Sequence, residues 1–330
     1  MQESFDSNIL GAGGKALMIC STGGHLTELL RIESRIGAHE DSLWVTFDTE
    51  QSRQQLAGRR VHHLPYVGPR DLKGTIFALP TLRRLLQREK FDAAISTGAA
   101  IATAALPLAR LHGVPSTYVE SVCRVRGPSA TGRMLARMRG VDVRTQHPSW
   151  AKGRWGTHPS ILADYRSEQR GVKSDPLRVF ITLGTIRGYR FDSIIDAFLA
   201  TGMANEDTVW QLGDTDRLDS LPGSVNRYLS PDEFAAAAAD ADVVVTHAGV
   251  GTLLELLGMG IFPIQAVRRA TRYEHVDDHQ LQIAELVNGS GIGIAVEGPD
   301  LTEKTIRLAA SRRIVDGLTV GQESLAMAGA

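Results

Sequence analysis

ALMICSTGGHLTELL, residues 16–30, joins an uninterrupted apolar run to two glycines and then to the start of an amphipathic helix. A short apolar run without alternation is typical of a strand that is buried on both faces of a parallel sheet. The glycines permit a tight turn and a close backbone approach, and the N-terminus of the following helix offers free N–H groups. The segment therefore predicts a strand, a ligand-binding loop and a helix, in that order.

Runs of the same kind recur along both halves of the chain. In the first half they cover 16–20, 43–47, 61–64, 93–97, 116–120 and 141–146. In the second half they cover 178–183, 208–212, 225–229, 242–247, 261–265 and 292–296. Helical patterns lie between them, at 25–35, 50–57, 71–88, 100–112, 129–139, 191–203, 231–240, 250–259, 276–288 and 302–315. With a polar stretch at 151–177, this alternation predicts two α/β, doubly wound, parallel-sheet domains, residues 1–170 and 171–330.

Length and composition agree with two globular domains. The chain has 330 residues, of which 43% are hydrophobic and 22% charged, and a domain usually has about 100–200 residues. No stretch approaches the roughly 18–20 consecutive apolar residues of a membrane span. Residues 1–15 carry acids where a signal peptide carries a basic leader, and Cys20 and Cys123 are too few for a disulfide framework. We therefore expect a cytoplasmic protein.

The two halves of the chain differ in charge. Residues 1–175 contain 24 Lys and Arg against 16 Asp and Glu, a balance of +8, whereas residues 176–330 have a balance of −9. Either the first half binds something anionic, or the two halves attract each other. Arginines crowd one segment of the first half: Arg124, Arg126, Arg133, Arg137 and Arg139. Helix 71–88 mixes apolar and basic residues, which indicates a membrane-surface element or an ordinary amphipathic helix. The scarcity of interleaved aromatics argues against nucleic acid.

The loop of residues 21–25, STGGH, follows the first strand and opens a helix. It does not match the GxGxxG dinucleotide fingerprint, and Asp48 is a poor candidate for the acid expected about 20 residues later, which weakens a dehydrogenase interpretation without excluding it. A histidine is suited to accept a proton near neutral pH. His25 is therefore either a catalytic base or a histidine of the helix cap or core.

A second strand–turn–helix pattern, VVVTHAGVGT at 243–252, precedes Glu255. Small residues at a helix N-terminus are suited to hold phosphate oxygens on backbone N–H groups. Thr252 and Glu255 are three residues apart and share a helix face, where the carboxylate can accept hydrogen bonds from a ribose diol. The alternative is a tight turn with a surface glutamate. Gly184 and Thr185, after the strand at 178–183, repeat the design and predict a second set of diphosphate donors.

Residues 274–280, EHVDDHQ, follow the strand at 261–265. His275 and His279 have the i, i+4 spacing of a metal pair, but a clear third ligand is missing. Recognition of sugar hydroxyls by Asp278, His279 and Gln280 fits better, because hydroxyls need both donors and acceptors. No convincing Asp-x-Asp motif for a metal–diphosphate complex occurs, so we expect no obligatory metal and no cofactor.

These motifs resemble two subunits of a known transferase. STGGHLTELL, ISTGAA (95–100), YVESVCRV (118–125), SATGRML (129–135) and TQHPSW (145–150) are similar to the membrane-docked subunit of the eukaryotic UDP-GlcNAc transferase that adds the second GlcNAc to the dolichol-linked glycan. VFITLGT, QLGDT (211–215), ADVVVTHAGVGTLLELL (241–257) and YEHVDDHQ (273–280) are similar to its catalytic partner, of the glycosyltransferase family 28 C-terminal class. Over roughly residues 15–315 the chain resembles a fusion of both, as in bacterial capsule and exopolysaccharide transferases, and its TGGH loop resembles that of the lipid II-forming transferase.

The resemblance implies a GT-B fold, in which two Rossmann-like domains face each other across a cleft, and an inverting transfer of a hexose from a UDP-sugar to a polyprenyl-diphosphate-linked saccharide. It implies peripheral contact with the cytoplasmic face of the inner membrane, because residues 1–14 are polar where the eukaryotic subunit has an anchor. The implied diphosphate site consists of Gly184, Thr185, His247, Gly249, Gly251 and Thr252. Glu255 would hold the ribose, Tyr228 and Leu229 would lie near the uracil, and His279 and Gln280 would touch the sugar.

His25 is the implied base, with Glu120 as the second candidate. We expect the acceptor phosphates to meet Gly23, Gly24, Arg124, Arg126 and Arg133. Two competing functions remain, a UDP-sugar epimerase on the same scaffold and a non-catalytic scaffold for another transferase.

Overall fold

The computed structural model describes residues 10–11, 13–68, 71–171, 175–184, 188–276, 278 and 280–318. The chain divides into two compact units, Met1–Ile161 and Leu162–Ala330. Thr185 and His279, two of the predicted site residues, lie outside the described residues.

The first unit is built on a parallel sheet flanked by helices. Its described strands are β1 (Ala16–Cys20), β2 (Leu43–Phe47), β3 (Arg60–Leu64), β4 (Ala93–Gly98), β5 (Ser116–Val119), β6 (Val141–Thr145) and β7 (Trp155–Thr157). Its described helices are α1 (Gly24–Ile36), α2 (Glu50–Gln55), α3 (Leu72–Arg88), α4 (Ala102–Leu111) and α5 (Ala130–Leu135). The strand order is β3-β2-β1-β4-β5-β6-β7, with every pair parallel. This order is that of a doubly wound sheet, whose ligands bind where the order reverses, beyond β1 and β4.

The second unit repeats the arrangement. Its described strands are β8 (Tyr165–Gln169), β9 (Val179–Thr182), β10 (Val209–Gln211), β11 (Ser224–Asn226), β12 (Val243–His247), β13 (Ile264–Val267), β14 (Ile294–Glu297) and β15 (Arg312–Asp316). Its described helices are α6 (Asp192–Ala200), α7 (Pro231–Asp240), α8 (Val250–Gly258), α9 (Gln280–Ser290) and α10 (Glu303–Ala310). The parallel sheet has the order β11-β10-β9-β12-β13-β14, which reverses between β9 and β12. The sequence-based prediction of two doubly wound domains is confirmed.

The boundary between the units falls about nine residues before the predicted one. Residues 162–170 belong to the second unit because β8 pairs antiparallel with β15, placing Ser167 opposite Ile314. The sequence analysis treated 302–315 as one helix, but α10 ends at Ala310 and a strand follows. The β-branched pair Ile314–Val315 favours a strand, yet its partner lies far away in sequence, where no local pattern identifies it.

Strand ends and helix starts place the candidate site residues. The inner strands of each sheet are largely buried, as continuous apolar runs in parallel sheets require, whereas the edge strands β3, β7, β11 and β14 are partly exposed. In the first unit, α1 begins directly after Gly23, whose φ of 79° lies in the left-handed region that favours glycine. In the second unit, α8 begins after Gly249 without a side-chain cap. Among the described residues, no helix has the length and apolar composition that crossing a bilayer requires.

Candidate functional site

A polar cavity lies at the carboxyl edge of the second sheet, beyond the neighbouring strands β9 and β12. These strands run parallel, with Thr182 opposite Thr246, so the loops that follow them emerge side by side. The cavity has a volume of about 450 Å³. It is lined by Thr182, Gly184, Gln211, Phe234, His247, Gly249, Gly251, Thr252 and Glu255. The structure thus brings together six of the residues that the sequence analysis assigned to the donor.

The imidazole of His247 fits between two glycines of this cavity. A Cβ added at Gly184 would lie 2.6 Å from its Cε1 atom, and a Cβ added at Gly249 would lie 2.4 Å from its Nε2 atom. Both distances are shorter than any normal contact. Gly184 also has a φ of +77°, which a side chain would strain. These two glycines are therefore required by the position of the histidine as well as by a tight turn.

The same imidazole is neutral at physiological pH. Burial lowers the pKa of His247 to about 3, and the positive charges of Arg268 and His275 act in the same direction. A neutral imidazole can donate one hydrogen bond without adding charge. Because α8 has no side-chain cap at its N-terminus, its free N–H groups and partial positive charge are suited to an anion in the cavity.

Glu255 and Thr252 lie one turn apart on α8, and both line the cavity, as their spacing predicts. The Glu255 residue is largely exposed, but partial burial of the carboxyl group raises its pKa. A carboxylate at this rim can accept two hydrogen bonds from vicinal hydroxyls. The position therefore suits the recognition of a ribose next to a diphosphate at the helix N-terminus.

The sequence analysis missed three residues of the cavity wall. The Oγ1 atom of Thr182 donates a 3.1 Å hydrogen bond to Oε1 of Gln211, and Phe234 of α7 contributes an apolar side. Thr182 and Gln211 are the last residues of neighbouring strands, β9 and β10. Their position at strand ends was the available signal, because ligands of such sheets bind at the carboxyl ends of strands.

Three predicted donor residues lie apart from the lining of this cavity. Tyr228 is exposed, and its hydroxyl donates a 2.6 Å hydrogen bond to Asp214. Leu229 is half-buried and packs against a core cluster. Gln280 is buried, and its Oε1 atom accepts a 3.0 Å hydrogen bond from the backbone N–H of Arg268. Its side-chain oxygen is thus engaged in holding a loop.

In the first unit, His25 lies on the first turn of α1 with its ring against Gly98 at the end of β4. A Cβ added at Gly98 would lie 3.0 Å from Cε1 of His25, and the φ of this glycine is +121°. The Nδ1 atom is buried and has no hydrogen-bond partner among the described residues. Burial lowers the pKa of His25 to about 4; the charge of Arg124 acts in the same direction, and a hydrogen bond with the backbone of Thr97 opposes both. The ring is therefore neutral and has an unused nitrogen.

Glu120, the second candidate for the base, is buried and fully hydrogen-bonded. Oε1 accepts from the Tyr118 hydroxyl at 2.9 Å and from the backbone of Ser121 at 3.3 Å. Oε2 accepts from the backbone and the hydroxyl of Ser129, at 2.9 and 3.0 Å. Burial raises the pKa of Glu120. These contacts fix the start of α5, so the geometry favours His25 over Glu120 as the base.

Glu28, one turn after His25 on α1, is a buried carboxylate that the sequence analysis did not single out. It accepts hydrogen bonds from the Ser121 hydroxyl (2.5 Å), the backbone of Val122 (3.1 Å) and the side chain of Gln146 (3.2 Å). Burial raises its pKa to about 7. Glu28 thereby fastens α1 to the loop that leads to Arg124. No local pattern in the sequence distinguishes this glutamate from one on the solvated face of a helix.

The remaining predicted residues of the first unit lie at the start of α1 and on the segment that follows β5. The N–H of Gly23 donates a 2.7 Å hydrogen bond to Oε1 of Gln51, which fixes the turn before Gly24. Arg124, Arg126 and Arg133 all have exposed side chains on the segment between β5 and the end of α5. Arg133 donates to the carbonyl oxygen of Pro128 at 2.8 Å. Of the three, Arg124 acts on His25 by its charge, and exposed guanidinium groups of this kind are suited to phosphate oxygens.

Comparison with known proteins finds similarity to glycosyltransferases. The model of the glycosyltransferase family 28 C-terminal domain matches residues 217–312. The chain is 28% identical over 229 residues to a UDP-N-acetylglucosamine–N-acetylmuramyl-(pentapeptide) pyrophosphoryl-undecaprenol N-acetylglucosamine transferase of Xanthomonas euvesicatoria pv. vesicatoria, covering 66% of this chain and 51% of that protein. It thus spans about half the length of that relative. A transferase of the same name from Shewanella violacea is 22% identical over 305 residues, 83% of this chain and 81% of that protein.

Two solved structures are similar over most of the chain. MurG of Acinetobacter baumannii has 18% sequence identity and a TM-score of 0.53, and the match covers 89% of each chain. The glycosyltransferase SnogD from Streptomyces nogalater has 18% identity and a TM-score of 0.54, covering 90% of this chain and 93% of the other. These likenesses show the fold: two parallel-sheet α/β domains that match the GT-B glycosyltransferases.

Proposed function

We propose that the protein is an inverting, UDP-sugar-dependent hexosyltransferase that acts on a polyprenyl-diphosphate-linked saccharide in cell-surface polysaccharide synthesis. The observation that carries this proposal is the cavity beyond β9 and β12, where a helix N-terminus, a neutral histidine and a rim carboxylate converge. The curated relatives support it, since their names describe a UDP-sugar donor and a pyrophosphoryl-undecaprenol acceptor.

The donor half of the reaction follows from the chemistry of the leaving group. The acceptor hydroxyl attacks the anomeric carbon, the bond to the diphosphate breaks, and UDP departs with the electron pair. The N-terminus of α8 and the neutral donor His247 stabilise the charge that develops on the diphosphate. The transfer then requires no obligatory metal, and activity that persists in excess chelator is the expected result. Loss of activity on chelation, restored by a divalent cation, would contradict this part of the proposal.

In the acceptor half of the reaction, His25 takes the proton of the attacking hydroxyl. Its ring is neutral in the free protein, so the imidazole can take the hydroxyl proton as UDP leaves. Arg124 opposes this protonation by its charge. An acceptor diphosphate that pairs with Arg124 would remove that effect and raise the pKa of His25 in the complex. Base catalysis of this kind contributes about 10²–10⁴-fold.

Membrane docking is the third element of the proposal. On α3, Ile76 and Phe77 are 53% and 79% exposed. Arg83, Arg84 and Arg88 are exposed on the same helix, and among the described residues none of them forms an ion pair. Apolar side chains can enter the headgroup region while each arginine near an anionic surface contributes about 1 kcal/mol. This surface suits the cytoplasmic face of an inner membrane.

Vesicle co-sedimentation tests the docking surface. Phe77→Ser and the double variant Arg83→Glu/Arg84→Glu are expected to lose binding to phosphatidylglycerol vesicles. Leu111→Ser is the matched control, because Leu111 is 83% exposed at the end of α4 in the same unit. Equal binding by all variants and the wild type would reject α3 as the docking helix.

The donor site is tested by calorimetry with UDP. Glu255→Gln is expected to weaken UDP about tenfold or more, because it removes the charged acceptor of two ribose hydrogen bonds. Glu206→Gln removes an exposed carboxylate before β10, away from the cavity, and serves as the control. UDP affinity that is equal in both variants would refute the ribose assignment.

Two competing functions make different products. An epimerase converts a UDP-sugar without any acceptor, and a non-catalytic scaffold releases no UDP from donor and acceptor together. Following a panel of UDP-sugars by NMR, with and without lipid-linked saccharides, separates the three. An epimerised UDP-sugar in the absence of acceptor would replace the transferase proposal.

A further inference from the structure

Arg268 is buried at the carboxyl end of β13, with 1% of its surface exposed. Its Nη1 atom donates to the carbonyl oxygens of Tyr189 (3.2 Å) and Glu274 (3.0 Å), and its Nη2 atom donates to that of Leu183 (2.6 Å). The guanidinium carbon lies 4.7 Å from the centre of the Phe191 ring. The Nε atom has no hydrogen-bond partner among the described residues. No carboxylate among those residues accepts a hydrogen bond from this guanidinium.

A buried charge without a paired carboxylate is unusual, because an unpaired charge in the interior costs stability. Burial lowers the pKa of Arg268 to about 10 while the negative charge of the buried Glu274 opposes the shift, so the group stays positive at neutral pH. Carbonyl dipoles and an aromatic face offset part of the cost. The charge of Glu274 also acts on Arg268, but the oxygens of Glu274 accept hydrogen bonds from other groups, so a ligand anion can supply the further negative charge.

The position of Arg268 indicates where that ligand lies. Leu183, whose carbonyl oxygen it binds, directly precedes Gly184 in the cavity wall. The positive charge of Arg268 also acts on His247, which packs against Gly184. Arg268 is therefore adjacent to the part of the cavity that we assign to the donor diphosphate.

The surrounding contacts join the two loops that follow β9 and β13. The buried carboxylate of Glu274 accepts hydrogen bonds from the backbone of Arg269 (3.0 Å), from Nε of Arg272 (2.9 Å) and from the Ser193 hydroxyl at the start of α6. The ring of His275 stacks on Tyr189, with centroids 6.0 Å apart. These loops carry Gly184 and Gln280, two of the predicted donor residues.

We propose that Arg268 is a positioning residue of the donor site. Its guanidinium lies behind the cavity wall and holds the loops after β9 and β13 through three backbone carbonyls. It also supplies a fixed positive charge, which the negative charge of the diphosphate of a bound nucleoside-diphosphate sugar compensates. The inference rests on the proposed function for the identity of the anion. The competing explanation is a brace with no electrostatic effect on the ligand.

Binding of UDP and of uridine to Arg268→Gln and Arg268→Lys distinguishes the two, because uridine lacks the diphosphate. Calorimetry measures UDP, and saturation-transfer NMR measures the weaker uridine. Arg170→Gln is the matched control, because Arg170 also donates hydrogen bonds to backbone carbonyls of the second unit, those of Ala310 and Asp242. These two residues precede β15 and β12, so they lie at the strand ends opposite to the cavity.

Arg268→Gln is expected to weaken UDP at least about tenfold while uridine stays within about threefold, as expected from loss of a nearby charge. Arg268→Lys keeps the positive charge but displaces it, so the affinity for UDP should fall less than in Arg268→Gln, and the affinity for uridine should again be kept. If Arg268→Gln does not fold, the lysine variant provides the test. Equal losses of UDP and uridine, or no loss of either, would overturn the proposal. A wild-type protein with no preference for UDP over uridine would instead refute the proposed donor.

Discussion

The substitution Gly249→Ala tests the fit of His247 in the donor cavity. The backbone of Gly249 has a φ of −104° and a ψ of 132°, which alanine adopts without strain, so the effect is one of space. The added Cβ would lie 2.4 Å from Nε2 of His247, about 1 Å inside the 3.4 Å at which ordinary contact begins. The ring also lies against Gly184, where an added Cβ would be 2.6 Å from Cε1. Overpacking of this size costs roughly 1–3 kcal/mol. If this cost falls on ligand binding, the affinity decreases by about five- to 150-fold.

Calorimetry with UDP and urea unfolding together measure this cost. Gly249→Ala is expected to lose at least tenfold in UDP affinity, with unfolding destabilised by about 1–2 kcal/mol. Gly258→Ala is the matched control: it lies at the end of the same helix, and its Cβ would meet nothing within 4 Å. That control should bind UDP like the wild type and be no less stable. Wild-type UDP affinity in Gly249→Ala would refute the assignment of His247 to the donor site.

Three further predictions concern the first unit and its titration. His25→Asn is expected to lower turnover by about 10²-fold or more with UDP affinity kept within threefold, and unchanged turnover in a steady-state assay would return Glu120 to consideration. Gly132→Ala places a Cβ 2.2 Å from Oε2 of Glu120, so urea unfolding should show a loss of about 1–3 kcal/mol, and an unchanged midpoint would contradict that packing. Because the pKa of His25 is about 4 in the folded protein against the 6.5 of an unperturbed histidine, the unfolded chain takes up the proton first as pH falls. Wild-type stability relative to His25→Asn should therefore decline by about 1–2 kcal/mol from pH 7 to 5, and a constant difference would show a normally titrating histidine.

Most of the fold could be predicted from local sequence patterns because both sheets are parallel and their inner strands are buried. Residues 16–20 and 43–47 were predicted as strands with the observed limits of β1 and β2, since a strand covered on both faces needs a continuous apolar run. The antiparallel pair β8–β15 could not be predicted in this way. Its strands carry many charged residues, and pairing of Ile314 with Ser167 depends on a contact far along the chain.

The glycine-rich loops were also predictable from local sequence, because the pattern of an apolar strand, two glycines and a helix start identifies a tight loop at the carboxyl edge of such a sheet. Residues that act from behind the loops were not. Glu28 and Arg268 are charged residues at positions where a solvated surface is the ordinary expectation, and only the packing reveals that both are buried. Gln280 shows the converse, since its side-chain oxygen is engaged with the backbone of Arg268.

The most direct test of the account is UDP release by the wild-type protein, measured with a UDP-sugar in the presence and absence of a polyprenyl-diphosphate-linked saccharide. UDP is expected only when both are present, in a one-to-one ratio with sugar newly attached to the lipid-linked product. UDP release or sugar conversion that proceeds equally well without the acceptor would contradict it.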